Sequence, residues 1–207
     1  MVPAMPSIDK LFVTQIYRAE LADPGLDGEL VRACLGISEE DVAGQAWCRE
    51  NTYRGYTSYA SLTDLTERAS VFSDLARRID THVARFVRAL ELDLGSRSLE
   101  LDSIWINVLE PGGLHTAHIH PHSVISGTYY VDVPKGASAI RFEDPRLTRM
   151  MATPPRKAEA RLANRQFVSI APRVGTLLLW ESWLRHEVPI NSARRPRISI
   201  SFNYRWD

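Results

Sequence analysis

From residue 99 the chain becomes a succession of short alternating runs, rich in β-branched and aromatic residues and separated by proline and glycine. Seven segments have this texture: 99–109, 124–133, 139–142, 167–171, 176–180, 186–189 and 197–204. Side chains on a strand alternate between its two faces, so such runs in series predict strands that pair and pack face to face. The expected class is mainly β with N-terminal helices: a double-stranded β-helix, the cupin-like jelly roll, with a helix packed against it.

The helices belong to the first half. Between Ser70 and Leu92, Val71, Phe72, Leu75, Ile79, Val83, Phe86, Val87 and Leu90 recur at steps of three and four, which predicts an amphipathic helix. His82 falls at the edge of that stripe and reads as a surface or boundary residue. A short helix is expected from Leu26 to Leu35, ending near Gly36, and a strand from Leu11 to Tyr17. No repeat or Gly/Ser/Pro linker divides the chain. One domain over 1–207 is expected, with a strand and helical part at 1–98 and the β-helix at 99–207.

Charge and cysteine content remove several function classes. Lys+Arg 25 balances Asp+Glu 25 over 207 residues, so no global field favours nucleic acid or an anionic membrane as partner. Cys34 and Cys48, the only cysteines, have no second pair to build a zinc finger or a disulfide framework, which fits a reducing compartment. Met1 to Lys10 lacks the charged and apolar regions of a leader, and no run reaches the eighteen or so apolar residues of a membrane span. A cytoplasmic protein is expected. A homo-oligomer is compatible with all of this.

Chemistry concentrates in one place. His115, His118, His120 and His122 lie within eight residues, and His186 is the one C-terminal histidine able to complete a site. Imidazoles at i and i+2 of a strand point the same way, so His118 and His120, joined by His186, would occupy one face of an octahedral ion. Three open positions suit Fe(II) with a bidentate co-substrate and dioxygen. Arg197 follows His186 by eleven residues, and its fork can hold a carboxylate in two parallel bonds. Ser199 faces the same side of the strand. Ser126, Thr128 and Tyr130 share a face of theirs, from which Tyr130 can donate its phenol to that carboxylate.

Taken together, Trp105-Ile-Asn107, His118-Ile-His120-Pro, Ser126-Gly-Thr-Tyr-Tyr130, Phe142-Glu-Asp-Pro-Arg146, Trp183-Leu-Arg-His186 and Arg197-Ile-Ser-Ile-Ser-Phe-Asn203 resemble the 2-oxoglutarate and Fe(II)-dependent dioxygenases, in particular a bacterial and phage branch of uncharacterised oxygenases. The likeness covers about half of the chain, with a weaker echo at Gly55-Tyr-Thr-Ser-Tyr59. It implies iron held by an HxD/E…H triad and 2-oxoglutarate anchored by an RxS arginine. By position, His118 and His186 match the two histidines, Tyr130 the co-substrate tyrosine, and Arg197 with Ser199 the anchor. Asn107 and Ser126 are further candidates for 2-oxoglutarate, with a structural side-chain-to-backbone bond the alternative for Asn107.

His120 stands where the resemblance places a carboxylate. Strand geometry favours His120 itself as the third ligand; a water, or Asp144, is the alternative, although Asp144 before Pro145 reads as a turn residue. His115 and His122 are expected either beside the ligands or as exposed loop residues. Trp105, Trp180 and Trp183 are expected in the core and rim, and 110–113 as a turn. The polar, cationic stretch 144–166 reads either as a solvated loop or as a lid facing the substrate.

The implied activity is hydroxylation of a small molecule or a peptide side chain, with dioxygen consumed and succinate and carbon dioxide released. The rivals are a cupin-like metalloenzyme that does not use 2-oxoglutarate and a non-catalytic binding module stabilised by structural zinc.

Overall fold

The apolar stripe that begins at Ser70 organises the helical layer. It forms α4 (Ser70–Ala89), whose Phe72, Leu75, Ile79, Val83 and Phe86 are buried. The computed structural model describes residues 6–21 and 23–206; Met1 to Met5 of the opening segment lie outside the described residues. His82 sits at the boundary, its Nδ1 2.8 Å from the Tyr17 hydroxyl.

α1 runs from Pro24 to Glu40, past the expected stop at Gly36. Asp23 accepts from the Leu26 N–H at 3.1 Å and caps its start, with proline in the first turn. Nothing crowds the Gly36 position, and the helix ends only at Asp41, which turns the chain and caps α2 (Val42–Glu50) through the Gly44 N–H at 3.0 Å. Sequence reading missed α2 because its nine residues carry no regular apolar stripe. A short α3 (Leu65–Arg68) precedes α4.

The described residues form ten strands, of which β2 and β4 are not among the segments expected from alternation: β1 (Ile16–Glu20), β2 (Gly55–Thr57), β3 (Glu100–Leu109), β4 (His115–His118), β5 (Ile125–Asp132), β6 (Ile140–Glu143), β7 (Phe167–Ile170), β8 (Thr176–Glu181), β9 (His186–Val188) and β10 (Arg197–Arg205). They form a six-stranded sheet, β1-β8-β5-β10-β3-β2, and a four-stranded sheet, β4-β9-β6-β7, with antiparallel pairing throughout. This is the double-stranded β-helix expected from the sequence. One strand is displaced: Leu11, Phe12 and Val13 are exposed, and β1 begins at Ile16, where Trp180 of β8 supplies a partner.

The six-stranded sheet is covered on both sides. Its outer face, including Ile106, Val108, Tyr129, Val131, Leu177, Leu179, Ile198, Ile200 and Phe202, packs with α1 and α4. Its inner face gives Leu109, Tyr130, Leu178 and Trp180 to a second cluster shared with Ile140, Phe142 and Val188 of the smaller sheet. Gly127 is required by this packing, since a Cβ there would lie 2.4 Å from the Phe202 ring. Segment 144–166 is irregular apart from two 3₁₀ turns, and it contributes no residue to the cavity between the sheets. No helix of the described residues is long and apolar enough to cross a membrane.

Candidate active site

The site begins with the polarity pattern of β10. Ile198, Ile200, Phe202 and Tyr204 pack with the helices, so Arg197, Ser199, Ser201 and Asn203 line the inner wall of a cavity of about 870 Å³. Register aligns Ser199 with Tyr130 on one neighbouring strand and with Asn107 on the other, and Asn107 with Thr57 beyond it. Four hydrogen-bonding side chains thus sit in one row across β5, β10, β3 and β2.

The facing wall carries the imidazoles. β4 pairs with β9 so that His118 lies opposite His186, with ring centroids 4.4 Å apart. His120 is not on the strand: β4 ends at His118, and the His120 N–H donates to the Ser182 carbonyl at 3.0 Å. Its ring reaches the same spot from the loop, stacked 5.2 Å from His186 with an interplanar angle of 3°. The three histidines each bring one nitrogen to within 4.8 Å of the others, and the Nε2 atoms of His120 and His186 are 3.3 Å apart.

Backbone carbonyls decide which nitrogen is free. Nδ1 of His118 lies 2.6 Å from the Thr116 carbonyl, and Nδ1 of His186 lies 2.9 Å from that of Leu184. A carbonyl only accepts, so both Nδ1 atoms carry a proton, and in the neutral ring Nε2 is the nitrogen left to bind. Burial, with His118 as the next cause, pushes His186 down to about 3 and His120 down to about 4, which keeps both neutral near pH 7. Two nitrogens bound to one ion at about 2.1 Å sit roughly 3.0–3.4 Å apart, so the residues fit a divalent cation. Neither His115 nor His122 joins the cluster. His115 is bonded to Tyr53, and His122 is exposed with φ 68. Asp144 is held by Arg146 at 2.8 Å and remains a turn residue.

Arg197 supplies the second chemical feature. It is 2% exposed, and its Nη1 donates to the Ser138 carbonyl at 3.0 Å, while its Nε has no partner. The guanidinium lies 5.7 Å from the Tyr130 ring centroid, and no carboxylate pairs with it among the described residues. Burial lowers the pKa of Arg197 and raises that of Tyr130. A buried guanidinium without a counter-charge is costly, so the pocket fits an anion brought by a ligand. No aspartate or glutamate lines the cavity among the described residues.

The remaining candidates separate. Asn107 makes side-chain bonds rather than a backbone one, accepting from Thr57 Oγ1 at 3.1 Å and donating to Ser201 Oγ at 3.1 Å. Ser126 Oγ lies 2.7 Å from Ser182 Oγ and donates to Asn203 Oδ1 at 2.8 Å, and the residue is not among those that line the cavity. Trp105 and Trp180 are buried beside His120 and His186, and Trp183 is 47% exposed. The turn at 110–113 is closed by the Gly113 N–H donating to the Glu110 carbonyl at 2.9 Å. Tyr53, Arg54 and Trp47 also line the cavity, and sequence reading had no local signal for them because their partners lie on distant strands.

Residues 103–203 match the family described as "Putative 2OG-Fe(II) oxygenase". No curated protein matches the chain in sequence. Among solved structures, a Pseudomonas putida prolyl-4-hydroxylase is 17% identical with a TM-score of 0.64, covering 94% of this chain and 95% of that one. The epimerase SnoN, in complex with Fe3+, alpha ketoglutarate and nogalamycin RO, is 15% identical with a TM-score of 0.65 over 93% of this chain and 79% of that one. A prolyl hydroxylase from Trichoplax adhaerens, in complex with a hypoxia inducible factor oxygen degradation domain peptide fragment, is 16% identical with a TM-score of 0.62 over 92% and 83%. These likenesses establish the fold. The profile match falls on the strands that build the cavity, and over those residues this chain is similar to the 2OG-Fe(II) oxygenase family.

Proposed function

We propose that this oxygenase hydroxylates an unactivated C–H bond of a small molecule or a peptide side chain, with His118, His120 and His186 holding Fe(II) and Arg197, Tyr130 and Ser199 holding 2-oxoglutarate. The observation that carries the reading is Arg197, a buried cation without an acidic partner among the described residues, in the same cavity as three convergent imidazoles. Iron, 2-oxoglutarate and dioxygen together supply the oxidation and release succinate and carbon dioxide. The chain supplies placement.

Arg197 neutralises the far carboxylate of 2-oxoglutarate, and the Tyr130 and Ser199 hydroxyls, adjacent in register, fix its direction. The carbonyls of Thr116 and Leu184 hold the tautomers that keep two Nε2 atoms available. The indole of Trp180, 4.7 Å from the His186 ring, excludes water from behind that ligand. Trp105, Tyr59 and Ile119 also line the cavity, which has no acidic lining group among the described residues and is large enough for a drug-sized molecule or one peptide side chain. The neighbours' printed ligands include both a peptide fragment and a small natural product, so both classes belong in a substrate screen. Cys34 and Cys48 are both free and buried, which supports a reducing, cytoplasmic setting.

The test is an anaerobic titration with Fe(II) and then 2-oxoglutarate, followed by absorbance. A weak charge-transfer band in the wild type that is lost in Arg197→Ala supports the assignment. Turnover without 2-oxoglutarate or succinate would instead identify the cupin-like alternative.

A further inference from the structure

The cavity is lined by a bridge, from the link before β2 to β4, that neither the metal cluster nor the RxS arginine requires. Tyr53, in the link between α2 and β2, places its hydroxyl 2.8 Å from Nε2 of His115 on β4, with the rings 5.6 Å apart. Register locates this bridge. His115 lies opposite Val188, at the end of β4 away from the His118–His186 pair. Tyr53 precedes Gly55 by two residues, and Gly55 and Arg197 both align with Leu109. The bridge therefore sits at the Arg197 end of the cavity, and both of its residues line that cavity.

Packing alone does not account for it. A part-buried phenol and imidazole bonded to each other gain little over an apolar pair of the same shape. The surroundings here are apolar already: Tyr53 packs against a cluster that contains Leu109, Ile140 and Val188. What the polar pair adds is a hydroxyl in the same cavity as a buried guanidinium, near enough for the two to act on each other electrostatically, and the guanidinium's Nε has no partner among the described residues.

We propose that Tyr53, oriented by His115, is a further donor to the far carboxylate of 2-oxoglutarate, and that this bridge limits the length of the 2-oxo diacid the pocket accepts. The inference rests on the reading of Arg197 as the carboxylate anchor. Burial first, and Arg197 second, hold His115 down to about 3, so it is a neutral ring with a single N–H. With that proton on Nε2, His115 donates to the phenol oxygen and leaves the phenol hydrogen for the anion. Tyr53 is a binding residue in this arrangement, and His115 a positioning residue.

Equilibrium titration of the anaerobic Fe(II)-loaded protein with 2-oxoglutarate and with 2-oxoadipate, one methylene longer, tests it. Tyr53→Phe should weaken 2-oxoglutarate by about ten- to a hundredfold, as expected for a hydrogen bond to a charged group, and leave Fe(II) affinity unchanged. Tyr53→Ala should move preference toward 2-oxoadipate. His115→Gln, which keeps a polar partner for the phenol, should retain most of the affinity, whereas His115→Leu should resemble Tyr53→Phe. Wild-type affinity for 2-oxoglutarate in an iron-binding Tyr53→Phe protein would overturn the inference alone. Failure of the wild type to bind 2-oxoglutarate at all would overturn the reading beneath it.

Discussion

Replacing Arg197 with methionine should make the protein more stable without 2-oxoglutarate and insensitive to it. Arg197 is 2% exposed, has a single hydrogen bond, to Ser138, and faces no carboxylate among the described residues. Its charge is thus desolvated with little return until an anion arrives. Exchanging buried ionic groups for apolar ones of similar volume is often stabilising by about 1–4 kcal/mol. The lost carbonyl bond and the contact with the Tyr130 ring act against this, so the lower half of that range is expected. For a chain of this length each kcal/mol moves Tm by about 2–4 °C, giving a rise of roughly 2–10 °C. In the wild type, 2-oxoglutarate at a hundred times its Kd adds about 2.7 kcal/mol, or roughly 5–10 °C, and Arg197→Met should abolish this shift. Anaerobic thermal unfolding of the Fe(II)-loaded proteins, with and without 2-oxoglutarate, measures both effects. A variant at least 1 kcal/mol less stable than wild type without ligand, or one that still gains the full shift, refutes the reasoning.

Three further outcomes are expected. His120→Ala should lower iron stoichiometry while His120→Asp retains it, because the loop carries this ligand into place independently of β4; metal analysis showing full iron in the alanine protein would remove His120 from the ligand set. The unfolded chain protonates His115 below about pH 6.5, whereas the folded state does so only near 3. Stability must therefore fall as pH drops through that window, by up to about 1.4 kcal/mol per pH unit for this one group. Urea unfolding with chelator at pH 7 and pH 5 should show a shallower decline in His115→Gln, and equal slopes would count against a buried neutral ring. Gly127→Ala drives a Cβ to within 2.4 Å of the Phe202 ring and should cost about 1–3 kcal/mol, with partial recovery in Gly127→Ala/Phe202→Leu; an unchanged denaturation midpoint for the single variant would mean that the sheet yields at no cost.

Much of the fold was legible because its signals are local. The stripe from Val71 to Phe86 gave α4, and alternation placed the strands after residue 99, apart from β4, to within a residue or so at their ends. The same alternation put Arg197, Ser199, Ser201 and Asn203 on one side of β10. Local signals misled where the deciding partner was distant. The apolar run Leu11 to Val13 has strand character, but β8 pairs only from Ile16 onward. Gly36 looked like a helix stop, yet the chain turns only at Asp41.

By itself, then, the sequence determined the periodicities, the class of fold and the chemical types available: imidazoles, an RxS arginine and a strand tyrosine. Period and composition are properties of neighbouring residues, and they survive without knowledge of what packs against them. Tertiary structure alone decided that His120 reaches His186 from a loop, that Ser126 bonds Ser182 and Asn203 away from the cavity wall, and that Tyr53 meets His115 across 62 positions of chain beside Arg197. Each of these depends on register and on closure of one sheet over another, where a shift of one residue would turn every side chain to the opposite face.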